Sequence, residues 1–130
     1  MVVTMACLCV CMSSQSVKAA GYSVTGDFYI SKGFTTTDNE GAYKQHIPAA
    51  AQIKPNNGAG AYRNYVSVYV VYKDNGNIRA TNGLTCSSDE LLYQSYLSTQ
   101  TSTSRVYYLA ASMAPSATAN FGTFKYMLTP

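Results

Sequence analysis

Tyr65-Val66-Ser67-Val68-Tyr69-Val70-Val71-Tyr72-Lys73 is the stretch that decides the fold. β-Branched and aromatic side chains lose rotamer freedom against a helical turn but pack well on a pleated surface, so the run predicts a strand. With a two-residue period, Val66, Val68, Val70 and Tyr72 form one face and Tyr65, Ser67, Tyr69 and Val71 the other. Both faces are largely apolar, which predicts a central strand covered at least partly on each side. Asp74-Asn75-Gly76-Asn77 follows. Asn-Gly tolerates the positive φ angles of a tight hairpin, so residues 78–81 are expected to return antiparallel.

Outward from this hairpin the same pattern recurs. Residues 22–31 alternate, with Val24, Gly26, Phe28 and Ile30 on one side and Ser23, Thr25, Asp27 and Tyr29 on the other. Residues 105–113 set Val106, Tyr108 and Ala110 against Tyr107, Leu109 and Ala111, and residues 121–128 align Phe124, Tyr126 and Leu128. A short strand begins after Pro48, closed by the turn chemistry of Pro55-Asn56-Asn57-Gly58. Residues 33–42, rich in Thr, Gly, Asp and Asn, read as a loop, and residues 114–119, around Pro115, as a turn. Ser87 followed three residues later by Glu90 has the form of a helix start. Two readings stay open there: a short helix near residues 88–97, or an edge strand over residues 91–98. Short strands at about ten-residue spacing joined by Gly, Asn and Pro turns predict an all-β fold, a small antiparallel β-sandwich or barrel.

The N-terminus sets the expected compartment. Residues 2–12 (VVTMACLCVCM) have about the length of a signal-peptide apolar core and are short for a bilayer-spanning helix. Small side chains at Val17 and Ala19 suit signal peptidase, so residues 1–19 read as a signal peptide cut after Ala19, with Ala20 as the alternative, and residues 20–130 as one secreted β-domain. Export signals normally begin with positive charge, and none lies between Met1 and the apolar core, which points to a start further upstream. After cleavage Cys7, Cys9 and Cys11 are gone and Cys86 alone stays. No intramolecular disulfide is then available, and in an oxidising exterior an unpaired Cys86 offers a route to a cross-linked dimer. Few disulfides beside an export signal suit a bacterial protein.

Composition and residue types exclude several functions. Nine Lys and Arg against six Asp and Glu give +3 without any run, which argues against a nucleic-acid surface. No membrane span is expected once the signal is removed. One His and one Cys in the mature chain are too few ligands for a zinc site, and no metal or other cofactor is expected. The Gly-x-Ser-x-Gly turn of serine hydrolases is absent. Cys86-Ser87-Ser88 is similar, over a few residues, to the motif of papain-like cell-wall peptidases. In that family the His follows the Cys, whereas His46 precedes Cys86 here. A small-hydrophobe role for the thiol explains it better, so the chain is expected not to be an enzyme.

Tyrosine is the remaining signal. Twelve Tyr with no Trp supply rings that join an apolar face to a hydroxyl, a combination suited to wet binding surfaces. Tyr62, Tyr65, Tyr69, Tyr93 and Tyr96 are the candidate binding residues. The expectation is a small secreted non-catalytic protein acting by surface contact at or outside the cell envelope, with a glycan or protein partner. The alternatives are a secreted antibacterial or toxin-like protein and a cysteine-dependent wall hydrolase.

Overall fold

The computed structural model describes residues 21–45, 50–56, 65–74, 76–97 and 100–130. The expected signal peptide, His46, Tyr62 and Asn75 lie outside them. Nine strands occur among the described residues: β1 (Val24–Ser31), β2 (Thr36–Tyr43), β3 (Ala51–Pro55), β4 (Val66–Lys73), β5 (Asn77–Arg79), β6 (Leu84–Cys86), β7 (Leu92–Gln94), β8 (Val106–Met113) and β9 (Phe121–Thr129). They form two antiparallel sheets packed face to face, and the fold is a β-sandwich. One sheet has the order β1-β9-β3-β7; the other has β2-β8-β4-β5, with β6 also paired to β4.

The core follows the alternation in the sequence. Val66, Val68, Val70 and Tyr72 of β4 and Tyr107, Leu109 and Ala111 of β8 point inward. They meet Val24 and Ile30 of β1, Ile53 of β3, and Phe124, Tyr126 and Leu128 of β9. Each large aliphatic or aromatic side chain buried here contributes roughly 1.5–3 kcal/mol relative to exposure. Cys86, on β6, joins this core at 1% exposure. The Asp74–Gly76 turn connects β4 to β5 with Lys73 paired to Asn77, and Gly76 takes the positive φ (122°) that the Asn-Gly pair foretold.

Two expectations are corrected. Residues 33–42 are not a loop throughout: Ser31 pairs with Phe34 across a tight turn, and β2 then runs along β8. The strand carries turn-forming residues because its register shifts between Thr37 and Gly41. Within that bulge Asp38 Oδ1 accepts the backbone N–H groups of Asn39 (2.7 Å) and Glu40 (3.3 Å), offsetting the missing ladder bonds. The helix near residues 88–97 does not form; β7 occupies the region as an edge strand pairing with β3. Ser88, not Ser87, receives the Glu90 amide, at 3.4 Å, and Leu92 and Gln94 turn toward the interior. β6, three residues long, has no signature in the periodicity.

Both open sides of the sandwich are bridged. On one, the Tyr43 amide donates to the Gly21 carbonyl (3.1 Å) and the buried Tyr126 hydroxyl donates to Asp38 Oδ2 (2.6 Å), tying β9 of one sheet to β2 of the other. Gly26 makes room for this pair, since a Cβ there would overlap Asp38 Oδ2 and stand 2.7 Å from the Tyr126 hydroxyl. On the other side Thr81 bridges to Tyr96 and the Leu97 amide donates to Ala80 (2.9 Å). Thr81 and Gln94, both buried, complete that seam: the Thr81 hydroxyl accepts the Val70 amide (3.0 Å), and Gln94 Nε2 donates to the Asn82 carbonyl (2.7 Å).

Candidate binding surface

The outer face of the five-stranded sheet is built by the second face of β4. Register places Val71 beside Tyr108 and Arg79, Tyr69 beside Ala110, and Val106 beside Tyr43. Val71, Tyr108 and Ala110 are buried on this outer side, with Tyr69 and Val106 packed against them. Gly41 permits the arrangement, because a Cβ there would stand 2.7 Å from the Tyr108 ring. What covers the layer is charge. Lys73 Nζ sits 4.2 Å from the Tyr108 ring centroid and the Arg79 guanidinium 4.5 Å from that of Tyr69. At the end of the same strands the Arg105 guanidinium lies 4.2 Å from the Tyr72 ring. Arg79 is held further by a hydrogen bond from its Nε to the Thr81 carbonyl at 2.9 Å.

A cation over an aromatic face gains about 0.5–1 kcal/mol at an exposed site, and the ring occupies only one side of it. Lys73 and Arg79 are exposed beyond their rings, whereas Arg105 is half-buried beside the Tyr107 hydroxyl. Stacking also restricts rotamers that a binding partner would otherwise have to order, so these heads are partly preorganised. Burial pushes the Tyr108 phenol above its ordinary range, with Tyr43 nearby adding to the effect. Tyr108 therefore stays neutral at physiological pH and serves Lys73 through its π face.

Where β4 ends and β8 begins, a depression of about 350 Å³ opens at the end of the sheet. Lys73 and Arg105 contribute its cations, Ser104 a hydroxyl and Asp74 a carboxylate, over a floor of Val106 and Tyr108. Its rim is ordered from below. The Tyr107 hydroxyl donates to the Gln100 carbonyl (2.9 Å) and accepts the Ser102 amide (2.8 Å), while Ser102 Oγ accepts the Ser104 amide (3.2 Å).

The five tyrosines singled out in the sequence do not form one site. Tyr65, 43% exposed, and Tyr69 share the outer face of β4, but Tyr69 lies half-buried under Arg79. Tyr93, 64% exposed, belongs to the outer side of the opposite sheet. Tyr96 turns inward against Tyr107 at 5.4 Å, and burial pushes its phenol well above the ordinary range. The ammonium of fully buried Lys44 lies 4.2 Å from the Tyr96 ring, and desolvation lowers its pKa. Tyr62 falls outside the described residues. Sequence reading missed Lys73, Arg79 and Arg105. The available signal was Lys73 continuing the Tyr69-Val71 row at the same period.

A separate aromatic patch lies at one end of β1. Ser31 pairs with both Phe34 and Phe121, so these two rings share the outer face with Tyr29, which stacks on Phe121 at 5.8 Å. The Cys86 thiol is buried and pushed up to about 12 by desolvation, the opposite of a thiolate nucleophile. A cross-link through it would require β6 to leave β4. Among the described residues no cluster of three or more His, Cys, Asp or Glu is placed to hold a metal, and no helix is long and apolar enough to cross a membrane. The chain matches no family model, no curated protein and no solved structure.

Proposed function

We propose that this chain is a non-catalytic binding module, exported and acting by surface contact at or outside the cell envelope. Its working surface is the outer face of the five-stranded sheet, and its partner is a negatively charged glycan or protein. The observation that carries the reading is the pair of cations on this face, Lys73 over Tyr108 and Arg79 over Tyr69, with Arg105 at its border over the inward-facing Tyr72. Among the described residues their partners are rings and neutral oxygens, the Thr81 carbonyl for Arg79 and the Tyr107 hydroxyl for Arg105, so an incoming anion does not first have to displace an internal carboxylate. Complementary charge of this kind favours encounter and orientation, and its contribution weakens with salt.

Retention on immobilised dextran sulfate and on isolated cell-envelope material, against neutral dextran, tests the proposal. Wild-type protein is expected to bind the charged matrices at low salt and to elute as salt rises. The pair Lys73→Gln/Arg79→Gln should elute early. The pair Lys32→Gln/Lys54→Gln removes the same charge elsewhere on the molecule and should elute much nearer to wild type. Equal retardation of the two double variants would reduce the effect to net charge and overturn the assignment of the face. A Tyr69→Ser variant removes the platform beneath Arg79 and should fall between wild type and the first pair.

A further inference from the structure

We propose that the depression where β4 ends and β8 begins binds one acidic sugar unit, with its carboxylate or phosphate held between Lys73 and Arg105. The inference rests on the preceding reading of the charged face and names the ligand class for one part of it. About 350 Å³ lies at the small end of ligand sites, enough for a monosaccharide ring and too little for a longer oligomer. Lys73 ends β4 and Arg105 immediately precedes β8, and each is steadied by a tyrosine ring at 4.2 Å, Tyr108 on the outer face for Lys73 and Tyr72 on the inner face for Arg105. Arg105 brings a planar donor fork and Lys73 a point charge, a combination suited to an oxyanion.

The rest of the lining tells a sugar acid from a bare anion. Asp74 also faces the depression. Its carboxylate repels inorganic phosphate but accepts hydrogen bonds from hydroxyls, so an anion carried on a hydroxylated ring satisfies both signs of charge. Ser104 adds a hydroxyl, and Val106 with the edge of Tyr108 offers an apolar floor to the C–H face of the ring. A peptide is less well served. β4 and β8 are interior strands paired on both sides, so no open ladder is available to an extended backbone.

Amide chemical-shift titration of the folded protein with glucuronate, glucose 6-phosphate, glucose, inorganic phosphate and a short acidic peptide provides the test. Glucuronate or glucose 6-phosphate is expected to move the signals of Lys73, Asp74, Ser104, Arg105 and Val106, and the stronger of the two identifies the anion. Glucose should move them little. Lys73→Gln and Arg105→Gln should each weaken binding about tenfold or more, on the scale of a lost charge-assisted hydrogen bond. Lys54→Gln, on the opposite sheet and outside the depression, should leave it unchanged. Equal or tighter binding of inorganic phosphate would mean an unspecific anion site, and tighter binding of the peptide would mean a peptide site; either result overturns the proposal. Absence of shifts with both acidic sugars, while dextran sulfate is still retained through Lys73 and Arg79, sinks this inference and leaves the proposed function standing. Loss of both sinks the two together.

Discussion

The Tyr126 hydroxyl donates to Asp38 Oδ2 at 2.6 Å, joining the central strand of one sheet to the edge strand of the other within the protein interior. Asp38 is 7% exposed and Tyr126 2%, so water cannot readily replace either partner. Tyr126→Phe removes the donor and leaves a buried carboxylate oxygen with one bond fewer. Hydrogen bonds to charged groups contribute about 1.5–3 kcal/mol, and a loss of that size is expected in urea denaturation. Adding Asp38→Ala to Tyr126→Phe should cost clearly less than the sum of the single changes, because the two groups act as one unit. Additive losses would show that the pair does not bridge the sheets.

Gly26 lies where the same bond passes closest to β1. A methyl group there would overlap Asp38 Oδ2 and crowd Tyr126. Gly26→Ala is therefore expected to destabilise by about 1–3 kcal/mol through overpacking, whereas Gly33→Ala meets no neighbour and is strained only by its φ of 79°. Thermal melts of the two variants check the contrast. A Gly26→Ala protein as stable as wild type would mean that the bond does not hold this geometry in solution.

Alkaline pH should unfold the protein early. Below the ordinary thiol value of 9.0 both folded and unfolded chains hold the Cys86 proton, and burial of the thiol contributes in full. From 9.0 upward the unfolded chain releases that proton while the folded chain keeps it until about 12, so stability falls across this window by up to about 1.4 kcal/mol per pH unit. The phenols of Tyr96, Tyr107, Tyr108 and Tyr126, all raised by desolvation, act in the same direction once pH passes 10.0. Melting temperature measured from neutral pH upward should drop through this range, and Cys86→Ala should lessen the first part of the drop. A flat profile in wild type contradicts the buried state of these groups.

Native Cys86 is expected to resist alkylation. At pH 8 the raised pKa lowers its thiolate fraction by about a thousandfold relative to an exposed thiol, before any steric shielding is counted. Iodoacetamide should modify it at the rate of an exposed cysteine only after denaturant is added. Fast modification of the folded protein would restore the nucleophile reading.

Export is tested by mass analysis of protein recovered from the medium of a secreting host. The expected N-terminus is Ala20, with Gly21 as the alternative, and recovery of Met1 would remove the export reading.

The strands that matter most were legible because their pattern is intrinsic. β4 and β8 alternate apolar residues on both faces, and β9 aligns Phe124, Tyr126 and Leu128, so burial followed from spacing alone. β2 was hidden because its inward position at Asp38 is satisfied by a residue 88 positions away, a partnership no local window contains. The helix reading at residues 88–97 failed for a related reason: cap chemistry at Ser87 and Glu90 is a weak local preference, and pairing of Gln52 with Tyr93 overrides it. The binding face was half legible. Period placed Tyr65 and Tyr69 together, but the cations come from β4, β5 and the start of β8, and only the strand register brings Arg79 beside Val71.

The position of β9 sets when this domain can acquire its structure. It lies between β1 and β3, supplying the whole ladder of β1 and one of the two of β3, yet it is the last strand in the sequence. Until residues 121–129 emerge, the first strand made has no hydrogen-bonding neighbour in its own sheet and the core lacks Phe124, Tyr126 and Leu128. Completion of the first sheet then waits for the strand made last.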